Sequence, residues 1–495
     1  METQDNVQAT SRPSTGHPDR LFHALLALLL LGAGAWYLWV QVTQFRALEV
    51  YLADVGSFVS VIAGPVHGAG LQTPVAWRVE GANYFGIHFQ PALLALTPLF
   101  LVANHSLTFL VALTLAAVGA AWPLAIWARR ETGSRALGLG FAALYLGNHF
   151  ALSMQLANHP ESLAMPGFFC AFLALRARRP VLYGLAVLWV LMVKEDFALA
   201  MFLFGGALLA QRDRRELWPW AAATMGGTVI WGAFAVAMMA ACGHAEMAAA
   251  GATASARFAS MGDSVPEIAL YALTHPGVVA ARFFSWPLVL LYLSVLALPL
   301  VDWRTAWLPA LGAAPVLICD DALLRTLPYY YSYLALPFLF YGAVRGAAVL
   351  KARFPGRPAL VAKGFAAALL AAGAVQSALP TRTDGRRHVP FEVTERDRLV
   401  PEIVTLIPAD ATVAVQYDLF PQVPPREVLL PMRLAYVDQV EYILMNQRRF
   451  PSDLADKGDE FQQMVARINA LDFEVAFEAE GFVLLQRGDW DGVSK

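Results

Sequence analysis

The sequence predicts a mainly α-helical, polytopic membrane protein of about eleven transmembrane helices, followed by a small soluble α/β domain. Three observations carry this. The 495 residues are 58% hydrophobic and only 15% charged, with a mean hydropathy of +0.50, whereas soluble domains run nearer half apolar and a quarter charged. Several apolar windows reach the ~20 residues needed to cross a bilayer. After Leu379 the composition turns charged, and short β-like runs replace the apolar ones. A net charge of -2 with no basic stripe argues against nucleic acid as a partner. Cys170, Cys242 and Cys319 are isolated, which suits neither a disulfide framework nor a metal cluster.

Residues 1–20 are polar and read as a disordered cytoplasmic N-terminus. The run Leu21–Val40 carries Trp36-Tyr37-Leu38-Trp39 where small cleavage-site residues would belong, so it reads as an uncleaved signal anchor. Arginines then set the threading. Arg129, Arg130 and Arg135 mark one basic loop; Arg176, Arg178 and Arg179 a second; Arg212, Arg214 and Arg215 a third; Arg304 a fourth; and Arg345 to Lys363 a fifth. If all five face the cytoplasm, an even number of spans separates each from the next. A single helix over Val181–Ala210 would be ~45 Å long and break that parity. The triplet Lys194-Glu195-Asp196 therefore marks a turn between two short helices on the outer side, where no charge is buried at mid-bilayer.

The same parity places a transmembrane region over 21–379, with outer loops at 41–106 and 241–284. Pro91–Ala103 is apolar but short and reads as an outer-face juxtamembrane helix. Residues 380–495 read as a soluble periplasmic α/β domain, with strands near Thr412–Gln416, Val440–Leu444, Glu474–Phe477 and Phe482–Gln486 and a helix near Glu460–Leu471. The prolines at 421, 424, 425 and 431 mark a connection. The whole would sit in a bacterial inner membrane.

This topology collects the unusual polar residues on the outer side: Asp54, His88, Asn158, His159, Glu161, Lys194, Glu195, Asp196, Asp320 and Asp321, with Tyr329, Tyr330, Tyr331 and Tyr333. Ionisable groups at membrane depth point to a functional site. Each also has a structural reading, as a cap, a charged turn or an aromatic belt. Chemically, Asp54 is the candidate general base. His88, Asn158, His159, Lys194, Tyr330 and Tyr331 are candidate substrate contacts, with lysine a point cation for phosphate. Glu161, Glu195 and Asp196 are candidate ligands for a divalent Mg or Mn ion. Such parts suit sugar transfer from a lipid-linked phosphate donor. A lipid or solute transporter, or a non-catalytic assembly subunit, stays open as an alternative.

The ordered segments "HFQPALLALTPLF", "ANHPESLAMP", "LMVKEDFALAMF", "YYYSYLALPFLF", "LIPADATVAVQYDLFPQVPPRE", "VEYILMN" and "GFVLLQRG" resemble the bacterial membrane family called domain of unknown function 2079, across most of residues 45–490. That family is grouped with the GT-C superfamily of membrane glycosyltransferases. The resemblance implies a GT-C-like fold, a polyprenyl-phosphate-linked sugar as donor and an inverting transfer. The acceptor would be a glycan, lipid or protein. It also implies a catalytic acid in the first outer loop, at Asp54. The family's second acid a few residues later is here Val59.

Overall fold

The computed structural model of the chain describes residues 17–50, 55–73, 82–211, 214–249, 257–262, 264–449, 458–488 and 490. Asp54 lies outside the described residues. The chain is mainly helical up to residue 377 and ends in a five-stranded sheet.

Among the described residues four helical stretches are long and apolar enough to cross a membrane: Asp19–Arg46, Ser106–Thr132, Arg215–Ala241 and Pro358–Ser377. The count rises to six when each of two bent pairs, Arg135–Gly147 with His149–Leu156 and Pro276–Phe283 with Trp286–Leu293, is taken as one span. Other expected spans are shorter or broken. The apolar stretch 285–301, long enough in sequence for one span, is a helix Trp286–Leu293 and a 3-10 turn Leu298–Val301, separated where Leu296 and Ala297 turn left-handed at φ 58° and 52°. The run Val181–Ala210 is two helices, Pro180–Val193 and Phe197–Leu209, of 14 and 13 residues. Pro180 fills the first helical position of one, where its missing N–H costs nothing. Lys194 is extended (φ -164°, ψ 147°) and ends it. Pro91–Leu96 is a 3-10 turn leading into the single helical turn Thr97–Phe100, so the juxtamembrane element is irregular rather than one helix.

Ion pairs join all five basic loops. Glu131 meets Arg176 at 3.0 Å and Arg345 at 2.7 Å. Arg345 also reaches Asp302 at 3.1 Å, and Arg178 reaches Glu216 at 3.8 Å. Asp19, at the start of the first helix, pairs with Arg129 and Arg135. The arginine-rich loops thus share one face of the bundle, as the even-span parity requires.

Small residues set the helix packing. A Cβ on Gly147 would stand 2.4 Å from the Gly373 carbonyl oxygen, and one on Gly373 would stand 3.0 Å from that of Ala143. Helices Arg135–Gly147 and Pro358–Ser377 therefore touch backbone to backbone, the approach that small residues permit within membranes. Gly147→Ala is expected to cost about 1–3 kcal/mol through overpacking. Gly364→Ala, where a Cβ meets nothing within 4 Å, leaves stability unchanged; denaturant titration of both variants in mixed micelles separates the two.

The C-terminal sheet has five strands: β1 (Val413–Val415), β2 (Leu429–Pro431), β3 (Tyr442–Asn446), β4 (Phe473–Ala479) and β5 (Phe482–Arg487), in the order β2-β1-β3-β5-β4. β1 runs parallel to β2 and β3, and β5 antiparallel to β3 and β4. Alternation at period two sends Val413, Val415, Tyr442, Leu444, Phe482 and Leu484 to one core. Ala414, Ile443, Val483 and Leu485 face the other, against Met464 and Ile468 of helix Gly458–Ala470. The first core takes in Leu48, just past the first helix, and so continues into the helical part. Gln422 Nε2 donates to the Phe45 carbonyl at 2.9 Å, and Asn104 Nδ2 to that of Pro425 at 2.7 Å.

Candidate functional site

Four breaks in helical structure bring the polar residues together at the end of the bundle opposite the arginines. In "NHPE", Asn158 adopts φ 59°, a left-handed conformation that asparagine tolerates. His159 is extended, as a residue before proline must be. The 3-10 turn Pro160–Leu163 then places Glu161 in its first turn, facing inward. Tyr329, left-handed at φ 54°, turns the tyrosine run so that Tyr330 stacks on His159 with ring centroids 3.5 Å apart. The hairpin apex supplies Lys194, Glu195 and Asp196, and the turn after Tyr84–Gly86 supplies His88.

Lys194 is the hub. Its ammonium donates to Glu161 Oε1 at 2.9 Å and lies 3.5 Å from Asp196 Oδ2. It also stands 4.9 Å from the Tyr333 ring centroid and 5.8 Å from that of Tyr330, close enough for cation–π attraction. Lys194 is only 5% exposed and Glu161 only 1%, so each charge depends on the other. Burial alone would push the Glu161 carboxyl up; the Lys194 ammonium and His159 outweigh it and hold the group well below the usual carboxylate range. Burial would lower the lysine, but the surrounding carboxylates and phenols keep it well above its ordinary value. His159 Nδ1 lies 3.3 Å from Glu161 Oε2, and the Tyr333 hydroxyl donates to Asp196.

Glu195 forms a second arm. Its Oε1 is 2.7 Å from His88 Nδ1, and its Oε2 accepts the Phe89 backbone N–H at 2.9 Å. The segment before Pro91 is thereby clamped to the hairpin apex. Tyr331 stacks on Tyr330, and its hydroxyl accepts from Arg257 Nη2 at 3.3 Å. Arg257 is a cation that sequence reasoning missed, because a single arginine at the end of a long loop carries no signal by itself.

His88, His159, Glu161, Lys194, Glu195, Asp196, Tyr330 and Tyr331 thus form one network. Asn158 does not face it. Its side chain is buried and donates to Gln44 Oε1 at 3.2 Å. Asp320 binds Ser260 and Arg282, and Asp321 accepts the Leu323 and Leu324 N–H groups, so this pair holds its own turns.

The three carboxylates expected to hold Mg or Mn do not gather around a vacant centre. The Lys194 ammonium occupies the place between Glu161 and Asp196, and Glu195 turns to His88. Among the described residues no group of three or more histidine, cysteine or acidic side chains could hold a metal ion. As placed, Glu161, Glu195 and Asp196 do not fit the cation.

A second polar network, unforeseen from sequence, lies beside the first. Gln155 Nε2 donates to Gln41 Oε1 at 2.7 Å, Gln41 Nε2 to Gln44 Oε1 at 3.1 Å, and His388 Nε2 lies 2.7 Å from Gln155 Oε1. His388 is 3% exposed, and burial lowers its pKa from 6.5 to about 4. The unfolded chain therefore takes up a proton near pH 6.5 that the folded chain refuses until about pH 4. Stability is full above pH 6.5 and falls as pH drops between these values, by about 3 kcal/mol at most. His388→Gln is expected to flatten that slope in denaturant titrations at pH 7 and pH 4.5.

A cavity of about 380 Å³ opens between helix Ser57–His67 and the loop leading into β2. Gly56, Val59, Ser60, Ala63 and His67 line one wall, recurring at helical spacing; Arg426, Glu427, Tyr436 and Gln439 line the other. The same helix turns Phe58 the other way, edge-on to His159 at 5.1 Å. One helix thus separates the cavity from the Lys194 network.

No curated protein matches this chain. Two crystal structures of ArnT from Cupriavidus metallidurans, one bound to undecaprenyl phosphate and one in the apo state, align with it at 13% and 12% identity. Each alignment covers 94% of this chain and 97% of that one, with a TM-score of 0.48. The family match extends over residues 51–484, nearly the whole of the helical part and the sheet, and by it the chain belongs to the family described as predicted membrane protein DUF2079.

Proposed function

We propose that this protein is an integral-membrane glycosyltransferase of the GT-C type, moving a sugar from a polyprenyl-phosphate donor to an acceptor at the outer, periplasmic face of the inner membrane. The observation that carries the reading is the network at the end of the bundle opposite the arginine-rich loops. There four separate chain breaks deliver two histidines, three carboxylates, a lysine and stacked tyrosines to one place. The motif resemblance to the family, and the family's grouping with membrane glycosyltransferases, support the same reading.

In the reaction, the Asp54 carboxylate takes the acceptor's O–H proton while that oxygen bonds to the anomeric carbon. The bond from that carbon to the phosphate oxygen breaks, and the polyprenyl phosphate leaves with the electron pair, inverting the configuration. His88 and the tyrosines would position the leaving phosphate, and Arg257 would offset its charge. The buried Lys194, already engaged by two carboxylates, holds the turns in register rather than exchanging partners. The cavity beside helix Ser57–His67, which follows Asp54 directly in sequence, offers room for the acceptor. The sheet region, read as a soluble domain from residue 380, walls that room.

The test is release of polyprenyl phosphate by purified full-length protein in nanodiscs, against a panel of lipid-linked sugars. Turnover of at least one donor, reduced by His88→Ala, is expected. No turnover with any donor, together with lipid or solute flux in proteoliposomes, would replace the enzyme by a transporter.

A further inference from the structure

On the arginine-rich face, neighbouring basic side chains differ in one respect. Arg129 and Arg135 are paired with Asp19, Arg176 with Glu131 and Arg178 with Glu216. Arg130 and Arg179 are exposed and have no side-chain partner among the described residues. Both line one apolar groove of about 990 Å³, whose walls include Trp122, Leu173, Leu182, Leu185 and Trp189. The groove lies between helices Ala164–Arg176 and Pro180–Val193 and the stretch Ser106–Thr132.

Its length is informative. From Arg179 to Trp189 the helix rises ~15 Å at 1.5 Å per residue, half of the ~30 Å hydrocarbon thickness. The groove therefore runs through one leaflet. Arg130 also lines an adjoining recess of about 520 Å³, where Arg129, Arg130 and Arg135 face the single carboxylate Asp19. An apolar slot one leaflet deep, ending at unpaired guanidiniums and a net-positive recess, is complementary to a lipid with an anionic headgroup. Basic pockets between helices recognise such headgroups by charge.

We infer that this groove binds an anionic phospholipid of the leaflet on the arginine-rich face, with an acyl chain along Leu182, Leu185 and Trp189 and its phosphate at Arg130 and Arg179. The site is separate from the Lys194 network and does not depend on the proposed transfer reaction. Leu163 and Trp189 close its inner end, where Trp189 Nε1 donates to the Leu163 carbonyl at 2.7 Å.

Native mass spectrometry of the full-length protein, exchanged into micelles holding equal phosphatidylglycerol and phosphatidylcholine, tests this. Wild type is expected to retain phosphatidylglycerol roughly 30-fold over phosphatidylcholine, and the Arg130→Ala/Arg179→Ala variant to bind both nearly alike. Leu182→Trp/Leu185→Trp, filling the slot, should lower retention of both lipids while keeping their ratio. Arg353→Ala/Arg357→Ala serves as control, since Lys351 beside them donates to the Thr132 carbonyl and marks the same face outside the groove. No preference in wild type overturns the inference. So does an equal loss in the control, which would mean general surface charge. Displacement of phosphatidylglycerol by equimolar undecaprenyl phosphate overturns it too, since the groove would then hold a carrier lipid. Both arginines are exposed, so an unchanged melting profile for the double variant is expected and separates lost binding from misfolding.

Discussion

Asp54→Asn is expected to slow sugar transfer by roughly 10²–10⁴-fold, the usual contribution of a positioned general base. The amide keeps the shape and hydrogen-bonding reach of the carboxylate but cannot take the acceptor's proton. The loss should therefore fall on kcat, with donor binding little changed. Helix Ser57–His67, which follows Asp54 in sequence, carries no acidic residue, and its His67, which lines the cavity, is engaged with Asn104 Oδ1 at 3.1 Å. Across the cavity, Glu427 is the one carboxylate in the lining among the described residues. Single-turnover release of polyprenyl phosphate from wild type, Asp54→Asn and Glu427→Gln separates the two. If Glu427→Gln abolishes turnover and Asp54→Asn does not, the base is on the C-terminal wall and the assignment of Asp54 is wrong.

Lys194→Met should destabilise the protein by about 3–5 kcal/mol, the range found when one member of a buried ion pair is removed. The methionine fills similar volume, so the loss is electrostatic. Glu161, 1% exposed, would be left with an uncompensated charge or forced to take up a proton. Asp196 would keep its Tyr333 partner but lose the ammonium at 3.5 Å. The double variant Lys194→Met/Glu161→Gln removes both charges and should recover much of the loss, because a neutral buried pair costs less than a lone ion. Denaturant titration in mixed micelles reads both. Equal instability of the single and double variants would show that the lysine acts by packing alone.

The hairpin apex at 194–196 was legible because arginine counting is a global constraint: two helices are needed between Arg179 and Arg212 whatever the local propensity. Four of the five strands were legible as short β-like runs in the charged C-terminal part. β2 was not, since three residues ending in Pro431 carry too little pattern, and it forms only because β1 offers a parallel edge. The partnership of Glu161 with Lys194 was also hidden. Both residues were singled out, but which carboxylate meets which cation is decided by packing between turns 33 residues apart. The glutamine network escaped for a related reason. Gln41, Gln44 and Gln155 each look like isolated polar residues near helix ends, and only the fold brings them together with His388. The direction of Asn158 follows from that network rather than from its own motif.

The cavity beside helix Ser57–His67 has one wall from residues 56–73 and another from residues 420–439. During synthesis the first wall is made about 350 residues before the second. Through that interval the nascent chain holds half a pocket. A chain stopped before residue 420 lacks the chamber, so any activity that uses it waits on residues far along the chain from the helix that opens it.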